Sequence, residues 1–307
     1  MDKILFIKKK IESLAFKAKT LGFGYMCDDS LNSLRRKMNL YFALFPKEKE
    51  KYKAELDFIN APGQKRVSYS TVFPYSFSEK YDYNQVEVFK DQELNLFYVI
   101  HNGKKLYFNH NFKNETAVKY NYAFLMAEQD KESTHCYLDD TFQIKEGDVI
   151  LDIGAAEGNF SLDAVEKAKE IYIFEANEAW KEALEATFAP WKDKVHIYYK
   201  FVSNIDNEQC LRIDTLLKEK PVDFMKIDVE GAETMILEGA EETIRNNKAL
   251  KLAICTYHQQ KDVDFLSSLL HQMNFSTCLS DGYMLFIYRK LAPPYFRKGL
   301  IRATKKQ

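Results

Sequence analysis

Four ionisable side chains crowd one short stretch: Lys226, Asp228, Glu230 and Glu233, within DFMKIDVEGAETMILEGA at residues 223–240. Asp228 and Glu230 are two residues apart, so an extended backbone puts them on one side. Acids at the start of a helix complement its dipole, which is one reason to find them there. The other is chemistry, since a positioned carboxylate can orient a hydroxyl and take its proton. His258 follows a strand-like run at Tyr257, and imidazole titrates near neutrality, as a proton acceptor should. Asp228, His258 and Glu230 are therefore the candidate catalytic residues. The same acids with His258 could alternatively hold a divalent ion that acidifies a bound hydroxyl. Spacing alone defines no such site, and no metal ligand is assigned.

A second constellation looks built for a cofactor. In VILDIGAAEGNFS a strand delivers the chain to Gly154, and a helix starts near Asn159 after Gly158. Glycine lets the backbone approach a ligand closely and take dihedrals closed to other residues. Open α/β sheets bind ligands at such strand ends. Glu175 ends the next strand, where an acid can bind ribose hydroxyls. Dinucleotide binding favours G-x-G-x-x-G, with a pyrophosphate against the helix start. Here Ala156 replaces the middle glycine. Glu157 would repel a pyrophosphate but tolerate the ammonium of a methionine moiety, so the loop favours S-adenosylmethionine over NAD.

These groups must be carried by a regular α/β frame. Strands are predicted at 149–153, 171–175, 195–200, 222–228 and 250–256. Helices are predicted over 159–169, 178–188, 232–245 and 263–273. Strands separated by helices demand parallel pairing. Residues 275–289, FSTCLSDGYMLFIYR, carry Asp-Gly between two strand-like runs and predict a final antiparallel hairpin. Upstream, LNLFYVIHNGKKLYF at 94–108 predicts another hairpin, turning at Asn102-Gly103. The opening helix carries Ile4, Ile7, Ile11, Leu14 and Ala18 on one narrow face and is expected to dock on the rest of the protein.

In this order and spacing, VILDIGAAEGNFS, YIFEAN, LRIDTLL, DFMKIDVEGAE and ICTYH resemble the FkbM-type methyltransferase family. The resemblance covers about residues 145–290 and is most specific at KIDVEGAE. AEQDKESTHCYLDD, at 127–140, resembles a stretch that precedes this domain in bacterial members. The resemblance implies a Rossmann-like class I methyltransferase fold and S-adenosylmethionine as donor. It also implies O-methylation of a hydroxyl on a sugar, glycan or related small metabolite. Position by position, Asp152, Gly154 and Gly158 match the cofactor loop, and Glu175 matches the ribose acid. Ser203 and Asn204 fall where adenine is commonly contacted, while Asp228 and Glu230 match the signature acids. Ala176 stands where members often have proline.

The organisation expected is an α/β methyltransferase domain at 146–290 and a smaller N-terminal α+β region at 1–145, suited to acceptor recognition or a lid. A basic tail at 291–307 follows. His135 could lie over the cofactor within such a lid. A net charge of −1 gives no global bias toward nucleic acid. Five cysteines without a C-x-x-C pair suggest free thiols in a reducing cytosol. No segment approaches the roughly 18 apolar residues of a membrane span, so a soluble cytoplasmic protein is expected. The basic first helix and tail offer a peripheral contact to an anionic membrane surface. An NAD-dependent oxidoreductase and a non-catalytic cofactor-binding module are the competing functions.

Overall fold

The computed structural model describes residues 30–63, 69–218, 220–287 and 291–306; the opening helix lies outside them. In chain order the strands are β1 (Phe89–Lys90), β2 (Phe97–His101), β3 (Lys104–Phe108), β4 (Val149–Ile153), β5 (Glu170–Phe174) and β6 (Val195–Tyr198). Then come β7 (Phe201–Val202), β8 (Cys210–Leu211), β9 (Phe224–Ile227), β10 (Lys251–Cys255), β11 (Phe275–Leu279) and β12 (Leu300–Lys305).

β4 reads VILDI, and every one of its residues is buried, as a strand covered on both faces requires. It is an interior strand of a seven-stranded sheet ordered β6-β5-β4-β9-β10-β12-β11. β4, β5, β6, β9 and β10 run parallel, whereas β12 lies antiparallel between β10 and β11. This is the class I methyltransferase sheet, flanked by helices. The chain travels outward from β4 to β6 and then returns to β9 beside β4. That reversal opens a crevice at the carboxyl ends of β4 and β9, where such sheets bind ligands.

Alternation along the strands divides the core in two. Leu151, Ile153, Met225, Ile227, Leu252 and Ile254 pack on one face with Ile236, Leu237, Leu266 and Leu270. Ile150, Ile171, Ile173, Phe224 and Ala253 face the other side. That second core continues without a break into Phe42, Leu56, Phe73, Leu106 and Phe108 of the N-terminal region. The region completes the sheet's second layer.

The hairpin predicted upstream is present. β2 and β3 pair antiparallel, and Asn102 and Gly103 turn with φ of 50° and 79°, the left-handed pair a two-residue turn needs. Asn102 also donates to Asp163 at 2.7 Å, tying the turn to helix Asn159–Ala164. Helix Glu115–Glu128 follows, capped by the Asn114 side chain accepting from Ala117 N–H.

The C-terminus differs from expectation in its pairing. β11 does find an antiparallel partner, but that partner is β12 at 300–305, not residues 283–289. Met284 and Leu285 are buried against the N-terminal region instead. Leu285 N–H donates to Val72 O, and Tyr283 meets Tyr52 with ring centroids 4.7 Å apart. The segment expected as a basic tail therefore supplies an interior strand with Leu300, Ile301 and Ala303 buried. Several of its cations bond to backbone carbonyls of the protein. Arg297 donates to the carbonyls of Tyr257 and His258, Lys298 to Ser280 O and Lys305 to Met273 O. Among the described residues no helix is long and apolar enough to cross a membrane, and the four described cysteines are free.

Candidate functional site

The glycine loop follows β4 directly. Gly154 has φ +77°, and a Cβ there would lie 2.0 Å from the carbonyl oxygen of Asp228. The loop and the end of β9 thus touch backbone to backbone, which only glycine allows. Gly158, at φ +79°, is closed in by Leu184 and Phe188, and helix Asn159–Ala164 starts immediately after it. Ala156 turns with φ +46° and donates its N–H to Glu175 at 2.8 Å. The other Glu175 oxygen accepts from Asn177 N–H at 2.7 Å, which fixes the acid at the end of β5.

Under the loop lies Asp152, fully buried. It accepts from the Ser161 hydroxyl at 2.7 Å and pairs with the Lys226 ammonium at 3.0 Å. Lys226 also donates to Gly154 O. Burial alone would neutralise this lysine, but Asp152 and Asp228 outweigh that and raise its pKa. Asp152 therefore acts as a buttress of the loop.

Asp228 is the hub of the site. Its carboxylate accepts from Tyr137 at 2.8 Å and Tyr257 at 2.9 Å. His135 and His258 each stand 3.5 Å from one of its oxygens. His258 is held from behind by Glu233 at 2.9 Å. Burial opposes ionisation of Asp228, yet His135, Lys226 and His258 prevail and hold it well below the usual carboxylate range. The converse holds at His135, where burial disfavours the charged ring but Glu128 and Asp228 raise its pKa. His135, Asp228 and Cys255 bring ligand-type atoms within 4.8 Å of one another. The hydrogen bonds from two tyrosines already organise this cluster around the carboxylate.

A cavity of about 220 Å³ opens in front of these groups, lined by Gly154 to Glu157, Asn159, Lys226, Asp228 and Tyr137. Helix Glu115–Glu128 roofs it with Asn121, Phe124, Leu125 and Glu128. Asn121 donates to Glu157 at 2.7 Å. Burial raises the Glu157 carboxyl despite that bond, and it pushes Glu128 up to about 7.

Residues 62–277 match the methyltransferase FkbM domain, over two thirds of the 307-residue chain. The protein belongs to the FkbM methyltransferase family. No curated protein matches the chain. Among solved structures it is similar to the methyltransferase FkbM of Methylobacillus flagellatus KT, at 16% identity and a TM-score of 0.45. That likeness covers 61% of this chain and 54% of the other, so the chain spans about half the length of that relative. It is also similar to an rRNA methylase from Streptococcus thermophilus (16% identity, TM-score 0.38, covering 53% of this chain and 90% of that one). A precorrin-6y C5,15-methyltransferase from Geobacter metallireducens follows (14%, 0.39, 54% and 83%).

As an FkbM-type domain it is a methyltransferase domain, and the cavity lies beside its glycine loop. Gly154 is among the cavity's lining residues, and its acidic lining at Glu128 and Glu157 suits a cation. The expected site residues divide accordingly. Gly154 and Asp228 front the cavity, and His258 joins Asp228 from outside it. Glu175 holds the loop from the neighbouring strand. Glu230 is exposed and does not line the cavity, because the chain turns at Gly231 with φ +97°. Ser203 and Asn204 sit away from it. Ser203 O lies against Gly239, and Asn204 donates to Glu238 at 2.7 Å. Tyr137, Tyr257 and Glu128 were not anticipated. Tyr257 adjoins His258 in ICTYH, and the other two lie in the family-like stretch at 127–140, the signals that could have flagged them.

Proposed function

We propose that this protein transfers a methyl group from S-adenosylmethionine to a hydroxyl of a sugar, a glycan or a related small metabolite. The observation that carries the reading is the shared cavity. The glycine loop and the hydrogen-bonded Asp228 carboxylate line the same cavity. S-adenosylmethionine supplies a methyl already activated on a sulfonium, so alignment is the main demand on the protein. Asp228, held rigid by Tyr137 and Tyr257, orients the acceptor hydroxyl. The Asp228–His258–Glu233 chain takes the proton that the hydroxyl gives up. The helix Glu115–Glu128 and the segment carrying His135 and Tyr137 exclude water from that exchange. Aromatic side chains of the N-terminal region supply faces for sugar rings.

The two acids in the cavity favour this reading over a nicotinamide enzyme, since they would repel a pyrophosphate. A near-neutral net charge favours a small acceptor over nucleic acid, and free cysteines favour a cytoplasmic site of action. The test is transfer of radiolabelled methyl to methyl glycosides, extracted glycans and total RNA in parallel. Label in carbohydrate, released by ether cleavage and not by base, supports the proposal. Label confined to RNA, or binding of NAD in preference to S-adenosylmethionine, overturns it.

A further inference from the structure

The ionisable groups around the cavity have hydrogen-bond or ion-pair partners with one exception. Lys226 is matched by Asp152 at 3.0 Å, Asp228 by His135 and His258, and Glu157 accepts from Asn121. Glu128 lines the same cavity and feels the charge of His135, yet its side chain makes no hydrogen bond or close ion pair among the described residues. It is also the last residue of helix Glu115–Glu128, where the helix dipole is negative and an acid is the wrong sign. An unpaired carboxylate at a helix C-terminus conflicts with local preference, and such conflicts gather where function compensates them.

The missing partner should be a cation that donates hydrogen bonds. A sulfonium has no proton to donate, whereas an ammonium has three. We propose that Glu128 is the counter-ion for the α-ammonium of the methionyl group of S-adenosylmethionine, a cofactor contact made by the roofing helix outside the glycine loop. The inference rests on the methyltransferase reading above. It has a consequence for protons. In the free protein Glu128 is raised to about 7, by burial first, with Asp228 and Glu157 adding to the rise and His135 and Lys226 opposing it. An arriving ammonium favours the ionised form, so binding expels the proton that Glu128 carries. The free amine, with a pKa of about 7.7–8.0, is itself still protonated below pH 7.

Calorimetry at pH 6.5 in two buffers of different ionisation heat measures the protons exchanged. S-adenosylhomocysteine, which keeps the ammonium and lacks the sulfonium, should release about 0.7 proton, and 5′-methylthioadenosine, which lacks the amino-acid group, close to none. Affinity for S-adenosylhomocysteine should rise about fivefold from pH 6 to pH 7. In Glu128→Gln that rise and the proton release should vanish, with affinity at pH 7 down about tenfold and 5′-methylthioadenosine binding unchanged. Equal proton release by the two ligands, or a Glu128→Gln affinity within twofold of the original, overturns the assignment while leaving the methyltransferase reading intact. Failure of the unaltered protein to bind S-adenosylmethionine or S-adenosylhomocysteine overturns both. The comparison of the two ligands on the unaltered protein needs no variant, so misfolding of the glutamine form cannot obscure it.

Discussion

Asp228 gathers two tyrosine hydroxyls and two histidines around one carboxylate, so substituting it changes every partner together. Asp228→Asn keeps the shape but puts an amide NH₂ where an oxygen accepted from these donors. Loss of about 1–3 kcal/mol in denaturant unfolding is expected. Methyl transfer to any acceptor that supports turnover should fall at least about a hundredfold. Full activity in that variant would remove Asp228 from the chemistry. Gly154→Ala tests the loop separately. Its Cβ would lie 2.0 Å from Asp228 O, so the loop must move away from β9. Calorimetry should then show S-adenosylmethionine affinity reduced more than tenfold while the helices keep their circular-dichroism signal.

At the scale of elements, β12 has two tasks. It sits between β10 and β11, and it projects Arg302 toward the segment that covers the site. Arg302 donates to Cys136 O at 2.7 Å and Tyr137 O at 3.2 Å, and it pairs with Asp139 at 2.9 Å. Tyr137 therefore reaches Asp228 from a backbone pinned by the last strand. Arg302→Ala should cost about 1.5–3 kcal/mol and speed hydrogen exchange at 133–139 while β4 and β5 stay protected. Unchanged exchange there would mean that this segment is held by other contacts. Truncation before Leu300 is a harsher test. It strips β10 and β11 of their shared neighbour, and loss of a cooperative thermal transition is expected.

Across the whole molecule, the site opposes stability and pH in two directions. Asp228 has its pKa lowered on folding, so its contribution is complete above its unfolded value, near 4, and is lost as pH falls below that. Glu128 is raised to about 7. Its contribution is present below its unfolded value, near 4.5, and is lost as pH rises through 7. Glu128→Gln should therefore raise the thermal midpoint at pH 8 by about 2–4 °C, discounted for the side chain's partial access to solvent. It should change little at pH 5. A midpoint that falls at pH 8 would show that Glu128 stabilises the unliganded fold. A stabilised but weakly binding variant is the usual signature of a group kept for function.

Much of the frame was legible because its signals are local. Period-2 and run-on apolar stretches marked β4, β5, β9 and β10, Asn102-Gly103 marked the upstream turn, and Gly154 with Gly158 marked a loop needing left-handed dihedrals. Parallel pairing of those strands then followed from the helices between them. Three features depended on contacts distant in sequence. Residues 283–289 look like a strand, but the N-terminal aromatic core captured Tyr283 to Leu285, leaving β11 to pair with residues 300–305. Glu230 carries the signature chemistry, yet the turn at Gly231 leaves it exposed. Glu128, Tyr137 and Tyr257 are ordinary residues until folding sets them around Asp228, roughly 30 to 100 positions away along the chain. Periodicity and glycine positions constrain the backbone locally; which side chains share a cavity, and which charge is left unpaired within it, is decided only when the two layers close over the sheet.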